Sequence, residues 1–462
     1  MKKITFVVLT IIFIICIASG ASASEASFVV KLKDISVPDS LLNILTEVNA
    51  DHRIYTVDNL ESLADYGEYI EYTEENTQFN IIDEPLPLES SDSASLMSLS
   101  DPFYNRMWQL QTVNAEYPWD ALTYGNGVNV AVIDSGCYYH SDLKEALCGG
   151  YNVMTGEDET DYSDNHGHGT HVAGIIAAQH NTIGVAGIAP KVNLYAIKIT
   201  DTGTGIALAT IADAIYVAVD KFDCRVINMS LAGPSNNTTL HEAIKYAYGK
   251  GVIMIGAAGN EGEKTNGTRL MYPAAYDEVI GVGAVTDENK RTDFSQRNNS
   301  VFVCAPGYQY ISTYNTGNYA TISGTSQASP IVAAAAAIML AADPDMTFEE
   351  FKSYIEDTAL PLEDDYTGCG LINIGAMLEA YMDTQDIYIS PRNEYSVYVK
   401  NNTSERVNIL FRVNNTGEES ATRVAAGKDR TADFLQGKGK LFFWTDYLRP
   451  FCRPKEYTKY QD

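Results

Sequence analysis

Residues 101 to 383 predict a doubly wound, mostly parallel α/β sheet, and two observations carry the prediction. Strand-like and helical runs alternate along the whole stretch, and the strand-like runs are nearly continuous in apolar residues, as strands covered on both faces must be. About 280 residues also suffice to bury a substantial core. A small α+β module is expected before this region, over residues 24–100, and a β-rich extension after it, over residues 384–462. With 462 residues, the chain exceeds one ordinary domain.

The elements follow in order. Met1-Lys2-Lys3, an apolar run from Ile4 to Ala18 and the exit Ala21-Ser22-Ala23 describe a secretory signal peptide over residues 1–23. Its apolar core is shorter than the roughly 20 residues of a membrane-spanning helix. Cys16 raises lipidation, but Ile15 stands where a small residue is expected. No other segment reads as a membrane span, so an exported, soluble, monomeric chain is expected. Ala26 to Leu32 reads as a strand, Asp39 to Val48 as a helix capped by Asp39 or Ser40, and Ile54 to Val57 and Tyr69 to Tyr72 as short strands. Glu84 to Ser100, rich in Pro, Ser and acid, suits an exposed, cleavable connector.

Within the central region, strands are expected at Val128–Ile133, Asn193–Ile199, Arg225–Leu231 and Val252–Gly256. Helices are expected at Thr170–Gln179, Thr210–Phe222 and Thr239–Gly249. After Gln385 helical periodicity stops, and Ile387–Ile389, Ser396–Lys400 and Val407–Val413 read as strands. The Phe442-Phe443-Trp444 cluster in the tail has no assignment.

Formal net charge is −28, which argues against nucleic acid as a partner. Residues 24–100 carry sixteen Asp/Glu against Lys31, Lys33 and Arg53, a net of −13, whereas residues 423–462 carry nine Lys/Arg against five Asp/Glu; such shifts mark separate modules. Beyond the signal the cysteines are 137, 148, 224, 304, 369 and 452. An oxidising exterior permits disulfides, and Cys137 with Cys148 is the one close pair. Cys224 and Cys304 read as buried free thiols. No CxxC pair suggests zinc.

In open α/β sheets, chemistry gathers at the carboxyl ends of strands. The first strand ends at Asp134-Ser135-Gly136, a carboxylate placed to orient something in the cleft, although Asp-Ser-Gly is also an ordinary turn. Asn165-His166-Gly167-His168-Gly169-Thr170-His171 holds three histidines; metal binding is disfavoured because no acid lies within the run and two glycines scaffold it poorly. Ser326 follows Gly324-Thr325 at the entry to a small-residue helix. Serine needs a base to take its proton, imidazole suits that role, and a carboxylate fixes the imidazole tautomer. Asn260, closing Ala257-Ala258-Gly259-Asn260 after a buried strand, offers a donor to a developing oxyanion, and the Ser326 N–H offers a second.

These segments resemble the subtilisin (subtilase) family of secreted serine endopeptidases, over roughly residues 101–382. The resemblance rests on Val132 to Gly136, His168 to Gly174, Ala257 to Asn260 and Gly324 to Pro330. It implies Asp134 as orienting acid, His168 as general base, Ser326 as nucleophile and Asn260 as oxyanion donor, with no catalytic role for His166 or His171. It implies protein or peptide substrates, and residues 24–100 as a propeptide that is the chain's own intramolecular inhibitor, with a cut between Leu88 and Ser100. Ser230, Leu231, Ala232 and Gly233 match the substrate-binding strand, Ala232 standing where the family has Gly. Met271 matches the pocket base, where small residues are common, and implies a shallow pocket. Gln327 replaces the usual Met after the nucleophile. A structural Ca²⁺ is implied at Asp142, Gln179, Asn181, Ile183 and Val185, with Gln109 adding a ligand from the N-terminal arm; oxygen-only ligation suits Ca²⁺. No catalytic cofactor is implied. Two functions are carried forward: a self-processed serine endopeptidase, and a catalytically silent secreted binding protein on the same fold.

Overall fold

The computed structural model describes residues 28–82 and 101–385, apart from 122, 155, 265 and 266, together with the backbone of six strands between 387 and 445. The signal region, the 84–100 connector and Cys452 lie outside the described residues.

The N-terminal module contains β1 (Phe28–Leu32), α1 (Asp39–Leu42), β2 (Thr46–Asn49), β3 (Ile54–Val57) and β4 (Ile70–Glu75). Its strands form an antiparallel sheet in the order β2-β3-β1-β4. The two faces follow the period-2 rule: Val30 and Leu32 join Leu41, Tyr55, Val57 and Leu63 in a core of the module's own, while Val29 and Ile54 pack into the core of the large domain. The expected helix Asp39–Val48 is corrected to one turn. Pro38 takes the N-cap position with no side-chain cap, and Thr46 and Glu47 pair with Thr56 and Tyr55, so sheet pairing overrides the helical spacing. A fifth strand, β5 (Gln78–Ile81), leaves the module altogether.

The large domain begins with short helices α2 (Trp108–Thr112) and α3 (Glu116–Asp120), followed by β6 (Asn129–Asp134), β7 (Leu147–Asn152), α4 (His168–Ala177), β8 (Asn193–Lys198), β9 (Ile206–Ala207) and α5 (Leu208–Tyr216). Then come β10 (Val226–Met229), β11 (Leu231–Ala232), α6 (Thr238–Gly249), β12 (Ile253–Ala257), β13 (Val279–Val285), β14 (Val303–Pro306), β15 (Tyr310–Thr313), β16 (Tyr319–Ile322), α7 (Thr325–Ala342), α8 (Phe348–Thr358) and α9 (Ile374–Thr384). Seven strands form one sheet in the order β14-β13-β12-β10-β6-β8-β7, and every neighbouring pair is parallel.

Both faces are covered, and the side chains of β6 divide between them. Val130 and Val132 join the core containing α4 and α7, whereas Ala131 and Ile133 join the core containing α5 and α6. Burying each such aliphatic side chain is worth about 1.5–3 kcal/mol, which explains why the strands read as unbroken apolar runs. Strand order reverses at β6 and β10, and the crevice of such a sheet opens at that reversal. Helix α7 passes through the larger core on Ala333 to Ala337, all fully buried. Length and composition alone would let α7 cross a membrane, contrary to the sequence expectation, but most of it is buried inside the domain.

The C-terminal strands β17 (Ile387–Asn393), β18 (Ser396–Asn401), β19 (Val407–Val413), β20 (Glu419–Val424), β21 (Lys428–Asp433) and β22 (Leu441–Thr445) form two three-stranded antiparallel sheets, β17-β18-β21 and β20-β19-β22. The unassigned aromatic cluster thus lies in β22, where Trp444 faces Leu410 and Phe443 faces Phe411 across the strand pair. Cys137 and Cys148 are not joined; both are free thiols. The Cys137 thiol is directed to the Tyr138 carbonyl and that of Cys148 to the Asn193 side chain. Cys224 and Cys304 are buried and free, as expected.

Candidate active site

Asp134 is the last residue of β6 and fully buried. His168 opens α4, whose N-cap is Gly167 at φ +106°. Both Asp134 carboxylate oxygens lie 2.9 Å from His168 Nδ1; a carboxylate only accepts, so Nδ1 carries the proton and Nε2 is left as the basic nitrogen. Helix and strand end approach so closely that a Cβ on Gly169 would sit 2.2 Å from the Gly136 carbonyl oxygen. Any side chain there would push His168 off Asp134.

The other two histidines of the run point elsewhere. His171 Nε2 lies 3.1 Å from the carbonyls of Tyr310 and Ala320, and burial lowers its pKa to about 3. The His166 ring is 6.3 Å from that of His168. Among the described residues no group of three His, Cys, Asp or Glu could hold a metal.

Ser326 lies in the first turn of α7 and is fully buried. Pro330 has no N–H to bond the carbonyl four residues back, which leaves the Ser326 carbonyl open. Ser230, just past β10, fills the gap: its Oγ donates to Ser326 O at 2.9 Å, and Ser326 Oγ donates in return to Ser230 O at 3.1 Å. Asn228 Nδ2 donates to Ser230 Oγ at 2.9 Å, and Ser329 Oγ donates to Asn228 Oδ1 at 2.6 Å. The helix start is therefore stitched to the strand on the far side of the crevice from Asp134.

Asn260 follows β12. Its Oδ1 accepts from Thr325 N at 3.0 Å and Thr325 Oγ1 at 2.8 Å, which turns the amide nitrogen outward. That nitrogen donates to the carbonyl of Ile82, 3.0 Å away.

Ile82 ends a segment that sequence reasoning did not single out. β5 pairs antiparallel with β11, Ile81 opposite Leu231 and Asn80 opposite Ala232. It also pairs antiparallel with β9, Gln78 opposite Ala207 and Phe79 opposite Ile206. Residues 78–82 thus run as a central strand in the crevice, with main-chain pairing on both edges. Phe79 is fully buried and lies over Gly233, where a Cβ would meet the ring at 2.4 Å. Met271 is buried against Gly259. The alternation Phe79-Asn80-Ile81 was the available signal for this strand.

The expected metal residues are partly brought together. Asp142 Oδ1 accepts from Asn181 Nδ2 at 2.9 Å, and Oδ2 from Val185 N at 3.1 Å. Gln179 and Ile183 belong to the same loop. Gln109 Nε2 donates to the carbonyls of Tyr308 and Gln309, each at 3.3 Å, and its Oε1 is buried with no partner. The acid on this loop is Asp101, missed from sequence, whose Oδ1 accepts from Asn181 N and Thr182 N at 2.9 and 2.8 Å. Asp101 Oδ2 is buried with no partner, and burial, with Asp101 adding to it, raises the Asp142 pKa to about 6. Two buried carboxylates and an orphaned oxygen fit a hard divalent cation.

A doubly covered parallel sheet of this order, taken with the family and relatives that it matches, marks a serine-type endopeptidase acting on protein substrates. The chain belongs to the subtilase family, whose profile matches residues 125–439. It is 42% identical to subtilisin DY of Bacillus licheniformis over 255 residues, 54% of this chain and 91% of that one. It is 34% identical to the minor extracellular protease Epr of Bacillus subtilis (strain 168) over 376 residues, 78% of this chain and 55% of that one. It is 40% identical to the intracellular serine protease of Paenibacillus polymyxa over 293 residues, 60% of this chain and 89% of that one.

Gln327 is fully buried with neither polar atom of its amide partnered. An unsatisfied buried polar group costs about 1–3 kcal/mol, and methionine is of similar volume. Gln327→Met is therefore expected to raise stability by about 1–3 kcal/mol, checked by denaturant unfolding in a Ser326→Ala background, where self-digestion does not interfere.

Proposed function

We propose that this chain is exported and self-processed, and that it hydrolyses peptide bonds through an acyl-enzyme on Ser326. His168 Nε2 takes the Ser326 hydroxyl proton as Oγ attacks the scissile carbonyl. Asp134 holds Nδ1–H and stabilises the imidazolium that forms. The oxyanion is met by Asn260 Nδ2 and the Ser326 N–H. The amine then leaves with the proton from His168, and water reverses the sequence. Ser230 to Gly233 bind the substrate main chain, and Met271 shapes the pocket. Export rests on the signal-like residues 1–23.

The observation that carries this reading is the Ile82 carbonyl on Asn260 Nδ2, at the end of a strand bound as a substrate would be. That contact supports self-cleavage at the Ile82–Asp83 bond, as an alternative to a cut between Leu88 and Ser100. Residues 24–82 are then the inhibitory propeptide, its last residues lying in the crevice as product.

A fluorophosphonate probe is expected to label the wild-type protein, and Ser326→Ala to abolish labelling and trap the uncleaved precursor. Labelling that survives the substitution would overturn the assignment. N-terminal sequencing of a briefly matured sample is expected to begin at Asp83; a first cut within Leu88–Ser100 would count against the register drawn from Ile82.

Calcium is proposed at the loop of Asp142, with the carboxylates of Asp142 and Asp101 as the charged ligands and Gln109, Gln179, Asn181, Ile183 and Val185 as the other oxygen-bearing residues. The ion would neutralise two buried carboxylates and tie the N-terminal arm to the loop. Chelator is expected to lower the melting temperature, since a cation a hundredfold above its Kd contributes about 2.7 kcal/mol. Asp101→Asn is expected to shrink the difference between calcium and chelator; a melting temperature indifferent to chelator would refute the site.

A further inference from the structure

The proposed reaction leaves one buried carboxylate beside the site without a role. Asp164 is 5% exposed and lies in the loop before α4. Its Oδ1 accepts from Ser135 Oγ at 2.9 Å, His166 N at 2.9 Å and Gly167 N at 2.7 Å. Its Oδ2 accepts from Thr170 N at 2.9 Å and Thr170 Oγ1 at 2.6 Å. Ser135 Oγ in turn accepts from Gly169 N at 2.9 Å, and Ser135 N donates to Asp134 Oδ1 at 2.7 Å.

The bound groups are the chain neighbours of His168 on both sides. A helix leaves its first N–H groups without intrahelical partners, and the N-cap of α4 is a glycine with no side chain to serve them. Asp164 takes the N–H of Thr170, and Ser135 takes that of Gly169. The cap thus comes from outside the helix and is anchored on the residue next to Asp134. No cation pairs with Asp164 among the described residues; its carboxylate accepts from five donors at the N-terminus of α4.

We propose that Asp164, acting through Ser135, is a positioning residue for His168. It locks the first turn of α4 to the end of β6, so that one imidazole serves both Asp134 and Ser326, and its charge adds to that of Asp134 in stabilising the imidazolium. The proposal rests on the reading of His168 as the general base. Among the described residues, the titratable groups near that imidazole include Asp134 on β6, Asp164 and His166 in the loop, His171 one turn along α4, Cys137 after β6, Lys198 on β8, and Tyr314 between β15 and β16, whose hydroxyl donates to His166 O. The Lys198 ammonium is bound to Ser163 O and to Asp201. His171 is kept neutral by burial, and burial likewise pushes the Cys137 thiol up, so Asp134 and Asp164 are the anions that an imidazolium would meet.

The test compares Asp164→Asn, Ser135→Ala and Ser135→Thr with wild type, measuring kcat and KM on a chromogenic peptide across pH, with melting temperatures alongside. Asp164→Asn is expected to lower kcat by about 10- to 100-fold with little change in KM, since small misplacements of a reacting group cost about that much. Its acid limb of kcat is expected to move to lower pH. Ser135→Ala keeps the charge, so kcat should fall while the acid limb stays, and Ser135→Thr, which keeps the hydroxyl, should recover most of the loss. An unchanged kcat and acid limb in Asp164→Asn would overturn the proposal. If that variant is not recovered folded, a folded Ser135→Ala with unchanged kcat overturns it alone. A wild-type protein that neither cleaves peptide nor takes the fluorophosphonate would instead sink the proposed function itself.

Discussion

The Asp134 carboxylate is fully buried, and the geometry around it follows from having to keep it there. A buried charge is tolerated only when partnered and hydrogen-bonded. Its partners are the next backbone N–H and the imidazole of His168, and a partner on another element has to be brought to it. That requirement pulls the N-terminus of α4 onto the carboxyl end of β6 and demands glycine at 169. On the other wall of the crevice, the missing N–H of Pro330 opens the Ser326 carbonyl to Ser230. Two helix starts are thereby pinned to two strand ends, and the space between them is the proposed site.

That space is already filled by the chain itself. Residues 78–82 pair with β11 and β9, seat Phe79 over Gly233 and bring the Ile82 carbonyl to Asn260. The contacts are main-chain hydrogen bonds and apolar burial, so they would hold many sequences in this register. On the proposed reading, discrimination would fall to the few positions where side chains meet the crevice wall, among them Ala232 and Met271. The same arrangement that would bind substrate therefore serves a tethered segment equally well.

The parallel sheet was legible because burial on both faces forces unbroken apolar strands, as in Val130 to Ile133. The four residues proposed to carry the chemistry stand out in the sequence because each lies at a strand or helix end among small residues. What escaped reading depended on partners distant in sequence. The helical spacing of Asp39 to Val48 gave way to pairing of β2 with β3. Asp101 is bonded to the loop at Asn181 and Thr182, a contact across about 80 residues of chain that no local motif announces. Asp164 looks like one more acid in a polar loop until Ser135, 29 residues earlier, is seen bonded to it. Phe442 to Trp444 gained meaning only through its pairing with β19.

The acidic character of residues 24–82 has a structural use as well as an electrostatic one. Helices α5 and α6 both lack a side-chain cap of their own. Asn76 Oδ1 accepts from Ala209 N at 3.1 Å, in the first turn of α5. The Glu74 carboxylate accepts from Thr238 N at 2.9 Å and Thr239 N at 2.6 Å, at the start of α6. Caps of this kind contribute about 0.5–2 kcal/mol each, and a carboxylate at a helix N-terminus adds to that through the helix dipole. Tyr72 reaches the same helix through Thr239 and Glu242, while Asn49 donates to the buried Asp213 of α5 at 2.6 Å. The small module therefore completes two helices that flank the central β10, besides filling the crevice. The capping contacts come from Glu74 and Asn76 and the strand pairing from the residues that follow at 78–82, so one short segment supplies both.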